Sequence, residues 1–142
     1  MLSESEISEI QDEIKKEIDL LITGCETLDM DMAFKVFSRD TDFFMIASDG
    51  RDYDFQSFFN NNKDYLDSCI KFELFTRKLD IKVLTSDIVV VSWLYKTVAT
   101  LKEGNQDIFE NAGATFLFKR VYDNWAVINY QESTLPPERV IN

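Results

Sequence analysis

The sequence predicts an α+β domain in which N-terminal helices pack on one face of a strongly curved antiparallel sheet. Two observations carry this expectation. Apolar residues recur at steps of three and four near the start of the chain, the spacing of a helix face, whereas long β-rich segments follow from about Phe72. Those segments are joined by connections of only a few residues, short enough for a continuous antiparallel meander. The 142 residues suit one domain, residues 1–142, with a short flexible tail expected from about 134, around Pro136-Pro137.

The first helix is marked by Ile7, Ile10, Ile14, Ile18, Leu21, Cys25 and Leu28 on one face. Ser3 and Glu6 have the S-x-x-E form of a capping box, in which each side chain satisfies a free backbone N–H. Asp12–Lys16 and Lys15–Asp19 are spaced to pair on the exposed side. Gly24 marks a bend or an end. A short second helix fits around Met32, Phe34 and Phe37. Phe43 to Ala47 is a short apolar run closed by the turn chemistry of Ser48-Asp49-Gly50. Asp54 suits the N-cap of a third helix whose buried stripe is expected to be Phe55, Phe58, Phe59, Leu66, Cys69 and Ile70.

Four strands are expected at 72–84, 87–101, 106–121 and 125–133. Taking Asp123-Asn124 as a two-residue hairpin loop sets Tyr122 opposite Trp125, Phe118 opposite Asn129 and Phe116 opposite Gln131. Val91, Trp93 and Tyr95 then share that inner face. In the first long strand Leu79, Ile81 and Val83 alternate with charged residues, so the odd positions, including Phe75 and Arg77, are expected inside. The result is an apolar inner face carrying a polar group of Arg77, Tyr95, Asn129 and Gln131, the usual makeup of a small-molecule pocket. Val90, Leu94, Val98, Phe109, Leu117, Ile128 and Tyr130 fall on the outer face, an apolar patch that predicts a homodimer.

Composition narrows the function classes. The chain has 15 basic and 26 acidic side chains, a net charge of −11, and no histidine. Serine and cysteine triads that rely on imidazole, and two-histidine zinc sites, are therefore excluded. The negative charge argues against nucleic acid or anionic lipid as the main partner. Ten acids and two bases lie within residues 1–31, so the acidity is concentrated there and reads as a solvated helix face. The absence of a long apolar run or a signal-like start points to a cytoplasmic protein without a membrane span. Cys25 and Cys69 lack metal-ligand spacing and fall on apolar stripes, as core residues do. Asp49, Asp52 and Asp54 suggest a calcium loop, but Asn60 stands where its final acid is needed, so no metal and no cofactor is expected.

Three stretches resemble the NTF2-like superfamily, specifically its SnoaL-like and DUF4440-like group. They are Leu28-Asp29 with the run Phe43-Phe44-Met45-Ile46-Ala47-Ser48-Asp49-Gly50, the segment Ala114-Thr115-Phe116-Leu117-Phe118-Lys119, and Trp125 to Ser133, which looks like the closing strand W-x-I-V-H-x-H-x-S. The resemblance spans roughly residues 7–134. It implies a cone-shaped, cystatin-like fold, a sheet bent around a long helix, a pocket at the wide end and dimerisation through the sheet. Members include isomerases, cyclases, dehydratases and binding modules, so the fold leaves activity open. Asn129 and Gln131 stand where many relatives carry histidine, and Ala47 stands at the position of the isomerase base.

Two functional readings follow. In the first, favoured by the missing histidine, the domain binds a small, partly apolar ligand without turnover. Arg77 then contacts a carboxylate or enolate oxygen, Tyr95, Asn129 and Gln131 fix orientation, and Trp93, Phe116 and Phe118 form apolar walls. In the second, the domain is an isomerase, cyclase or dehydratase acting next to a carbonyl. Asp49 or Glu73 serves as base there, with Tyr95 or Arg77 stabilising the oxyanion.

Overall fold

The computed structural model describes residues 1–142. Its elements are α1 (Glu4–Glu26), α2 (Met30–Phe34), β1 (Phe44–Ile46), β2 (Asp52–Tyr53), α3 (Phe55–Asp67), β3 (Cys69–Thr85), β4 (Ile88–Leu101), β5 (Gln106–Val121), β6 (Asn124–Thr134) and β7 (Glu138–Val140). The sheet runs β2-β1-β6-β5-β4-β3, and β7 pairs with β5. The meander β3-β4-β5-β6 is antiparallel throughout, whereas β1 joins β6 in parallel. This is the α+β architecture expected, with helices on one face of a curved, unclosed sheet.

The capping box of α1 forms as the sequence indicates. Ser3 N–H donates to Glu6 Oε2 at 2.8 Å, and Glu6 N–H donates to Ser3 Oγ at 3.1 Å. The helix buries Ile10, Ile14, Ile18 and Leu21. Ile14 and Ile18 are almost wholly buried, and each contributes roughly 2 kcal/mol of apolar burial. Of the two expected surface pairs, Lys15 with Asp19 forms. Gly24 does not end the helix, which continues to Glu26. It is the contact point with α2, since a Cβ there would lie 2.2 Å from Ala33 N.

α3 starts at the Asp54 cap, whose side chain accepts from Ser57 N–H at 2.8 Å. It stops at Asp67, so Cys69 and Ile70 belong to β3 and not to a helix stripe; Cys69 is buried and Ile70 exposed. Phe34, Phe37 and Phe58 form the aromatic seam between helices and sheet. Ring centroids are 4.7 Å apart for Phe34–Phe58 and 5.2 Å for Phe37–Phe58.

Three β-bulges decide which side chains look inward, because each extra residue exchanges the two faces downstream of it. In β3 the register slips between Thr76 and Lys78. Phe72, Leu74 and Thr76 therefore face inward before the bulge, and Leu79, Ile81 and Val83 after it. In β5 the pairing passes from Phe109 opposite Thr97 to Ala112 opposite Tyr95, leaving one extra residue on β5. In β6 Phe118 pairs with Val127 but Leu117 pairs with Asn129, so Ile128 is the inserted residue.

These slips correct the sequence-based register. The hairpin loop is Tyr122-Asp123, since Val121 pairs with Asn124 and Arg120 with Trp125. Tyr122 takes a left-handed φ of 57°. Phe116 lies opposite Tyr130, not Gln131, and Asn129 lies opposite Leu117, not Phe118. Phe75 is exposed on the outer side, whereas Phe109 and Tyr130, expected outside, face the interior. The C-terminal segment is not a free tail. Its strand β7 pairs Asp107 with Arg139 in register, and the Arg139 guanidinium forks onto the buried Asp107 carboxylate at 2.7 and 3.0 Å. Tyr65 donates to the same carboxylate at 3.0 Å. No helix is long and apolar enough to cross a membrane.

An apolar cavity with one carboxylate

The helices and the inward faces of β3, β4, β5 and β6 enclose a cavity of about 220 Å³. Fifteen of its 19 lining residues are hydrophobic, so a ligand there meets chiefly aromatic and aliphatic surface. Leu21 and Cys25 come from α1, Phe34 from α2 and Phe58, Tyr65 and Leu66 from α3. The sheet supplies Phe72 and Leu74, then Trp93, Tyr95 and Thr97, then Phe109, Ala112 and Phe116, and finally Tyr130, Glu132 and Thr134.

Glu132 is the charged residue of that lining. The Ile128 bulge places Tyr130 and Glu132 on the inner face, and the Tyr130 hydroxyl donates to Glu132 Oε2 at 2.9 Å. The other carboxylate oxygen, Oε1, receives no hydrogen bond from the protein and is not buried unsatisfied. Burial pushes the Glu132 carboxyl above its ordinary range, and the Tyr130 hydrogen bond partly offsets this. Tyr130 is raised well above the usual phenol value, first by burial and then by the Glu132 charge. Tyr95, which stands next to Tyr130, is raised for the same two reasons. Cys25 is pushed up to about 12 by burial and secondarily by Glu26, so its thiol is neutral near pH 7.

The residues expected at the site divide into two groups. Trp93, Tyr95 and Phe116 line the cavity, with Trp93 and Tyr95 ring centroids 4.2 Å apart. The indole N–H of Trp93 is held by Thr76 Oγ1 at 3.0 Å, which fixes the ring plane. Phe118 is buried but sits deeper, against Phe116 at 6.0 Å, and does not reach the cavity. Arg77 lies in the β3 bulge and points away, donating to Asn111 Oδ1 at 2.9 Å at the surface. Asn129 and Gln131 are exposed on the outer side. Asp49 closes its own turn, accepting from Arg51 N–H at 3.0 Å, and Glu73 pairs with Lys71 at 2.7 Å. Neither acid lines the cavity.

Glu132 and Tyr130 escape the sequence reading because both have the parity of the outer face until the bulge is counted. The signal that could have found them is compositional. An acid between Gln131 and Ser133 in a strand otherwise rich in apolar residues calls for a polar partner on one of its two faces.

The fold thus defined, three helices on a curved sheet that holds a cavity at one end, is the NTF2-like or cystatin-like fold. No family profile and no curated protein sequence matches the chain. Solved structures do. A hexachlorocyclohexane dehydrochlorinase, LinA-type3 from Novosphingobium barchaimii LL02, superposes with a TM-score of 0.78 at 12% identity, covering 99% of this chain and 96% of its own. An NTF2-like superfamily protein from Salmonella enterica serovar Typhimurium gives 0.78 at 14% identity, covering 90% and 92%. A cystatin-like protein of uncharacterised function from Caulobacter vibrioides gives 0.72 at 12% identity, covering 89% and 90%. At these identities the likeness establishes the fold.

Proposed function

We propose that the protein binds a small, largely apolar ligand in the cone cavity, oriented by Glu132, Tyr130 and Tyr95, and that it does so as a homodimer joined through the outer sheet face. The observation that carries the ligand reading is a space of about 220 Å³ walled by aromatic rings and containing one carboxylate. A cavity filled by its own Phe and Trp side chains would have left no such space. The dimer reading rests on the outer face, where Leu94 and Phe75 are 47% and 48% exposed beside partly buried Val90, Val98 and Leu117.

The test of binding is an NMR titration with one-ring compounds such as phenol and benzene. Binding in the cavity shifts the Trp93 indole N–H and the Ala112 methyl, and Ala112→Leu, which fills the space, abolishes the shifts. Unmoved resonances at millimolar ligand would refute the reading.

One observation favours a second reading, in which the site turns its ligand over. A carboxyl lifted by burial and bonded to a phenol is arranged to take a proton from carbon next to a carbonyl, with Tyr95 near the developing oxyanion. The base in that case is Glu132, not Asp49 or Glu73. The solved neighbours include a hexachlorocyclohexane dehydrochlorinase, which accords with such chemistry. Exchange of solvent deuterium into the α-position of a small cyclic ketone, lost in Glu132→Gln, is the corresponding measurement.

A further inference from the structure

The cavity's charge is one-sided. Its lining contains Glu132 but no lysine or arginine. The other titratable groups turned into the same space are Tyr95 on β4, Tyr130 on β6, Tyr65 on α3 and Cys25 on α1. All four have raised pKa values and are uncharged near pH 7. The basic side chains Arg77 on β3 and Lys96 on β4 are committed elsewhere, as is Arg139 on β7, which forks onto Asp107. Arg77 donates to Asn111, and Lys96 pairs with Glu110 at 3.2 Å on the outside. Nothing in the protein neutralises the Glu132 carboxylate.

The hydrogen-bond count adds direction. Glu132 Oε2 is taken by the Tyr130 hydroxyl, while Oε1 has no donor from the protein. A ligand seated in the cavity is therefore met by a carboxylate with one free acceptor oxygen and by the aromatic rings of Trp93, Tyr95, Phe116 and Tyr130. A ligand carboxylate or phosphate would face a like charge with no cation to receive it. An ammonium group gains a charge-assisted hydrogen bond, compensates the desolvated carboxylate, and is favoured by neighbouring π faces. The chain's net charge of −11 gives the protein as a whole an attractive field for cations.

We propose that the ligand class of this cavity is a small protonated amine on an aromatic or aliphatic body, its ammonium donating to Glu132 Oε1 and its body packed among Trp93, Phe116 and the phenylalanines of the helical wall. This rests on the reading that the cavity takes a small ligand. It reverses the selectivity expected from Arg77, which would have favoured an acid.

The test compares phenethylamine, 2-phenylethanol and phenylacetate, which share a ring and differ in the polar end, by calorimetry and by the Trp93 indole shift. Benzene serves as the neutral probe of the cavity itself. On the wild-type protein the amine binds at least about tenfold tighter than the alcohol, the gap between a charged and a neutral hydrogen bond, and the acid binds weakest. In Glu132→Gln, which keeps an acceptor for Tyr130, the amine's advantage over the alcohol disappears. An alcohol that binds as well as the amine, or an advantage that survives in Glu132→Gln, overturns the amine assignment. Benzene entering in those cases leaves the small-ligand reading standing. If benzene also fails to shift Trp93, both fall.

Discussion

The Tyr130 hydroxyl donates to Glu132 Oε2 at 2.9 Å, and both side chains stand on one face of β6 with the cavity in front of them. The pairing lowers the cost of a carboxylate in an apolar space without removing it. Burial still dominates, and the carboxyl remains above its ordinary range.

The contribution of Glu132 to stability should therefore fall as pH rises. A carboxyl whose folded pKa lies above its unfolded value, about 4.3 for glutamate, holds more protons in the native state over the interval between the two. Its unfavourable contribution is absent below the unfolded pKa and complete above the folded one. Glu132→Gln is expected to melt a few degrees higher than the wild type at pH 8 and to match it near pH 4. Calorimetric melts of both proteins across that range check this; equal midpoints at pH 8 would contradict it.

Cys25 reports on access to the cavity. With its thiol pushed up to about 12, the reactive thiolate is scarce at neutral pH. Alkylation by iodoacetamide at pH 7.5 should run on the order of a hundredfold slower than for a free thiol. A ligand that fills the cavity slows it further. Mass spectrometry of the Cys25 and Cys69 peptides distinguishes the two sites.

The contact of α1 with α2 depends on a missing side chain. Gly24→Ala places a Cβ 2.2 Å from Ala33 N and 2.6 Å from Ala33 Cα, backbone atoms that cannot rotate aside. Overpacking of this kind costs about 3 kcal/mol. Urea unfolding should show that loss, where an exposed helical Gly→Ala would have gained stability instead.

The outer face predicts association. Sedimentation at micromolar concentration is expected to show a dimer, and Leu94→Arg, which charges the centre of β4's outer side, should give a monomer that stays folded. A wild-type monomer under those conditions removes the proposed interface.

Much of the architecture was legible because it depends on local chemistry. Ser3 and Glu6 marked the first helix, Asp54 capped the third, and the strict alternation of Val89, Val91, Trp93 and Tyr95 against Val90, Ser92 and Leu94 revealed β4's inner face. The cavity was only half legible. Parity arguments hold along an unbroken ladder, and β3, β5 and β6 each carry a bulge that nothing in Arg77, Asn111 or Ile128 announces. Trp93, Tyr95 and Phe116 lie on the correct side of those breaks. Arg77, Asn129 and Gln131 lie at or beyond them and turn outward, and Glu132 turns in for the same reason. The folding of residues 138–140 against β5 was also hidden, since it depends on a long-range pair, Arg139 with Asp107.

The inserted residue in β6 has one further consequence. The bulge at Ile128 sets which alternate set of side chains the cavity receives: with it, Tyr130, Glu132 and Thr134; with the same residues in an unbroken ladder, Asn129, Gln131 and Ser133. The lining would change from an anion beside a phenol to a pair of neutral amides through a one-residue shift of register, with every residue of the strand kept. The chemical character of this cavity is thus written in the spacing of the backbone as much as in the identity of its residues.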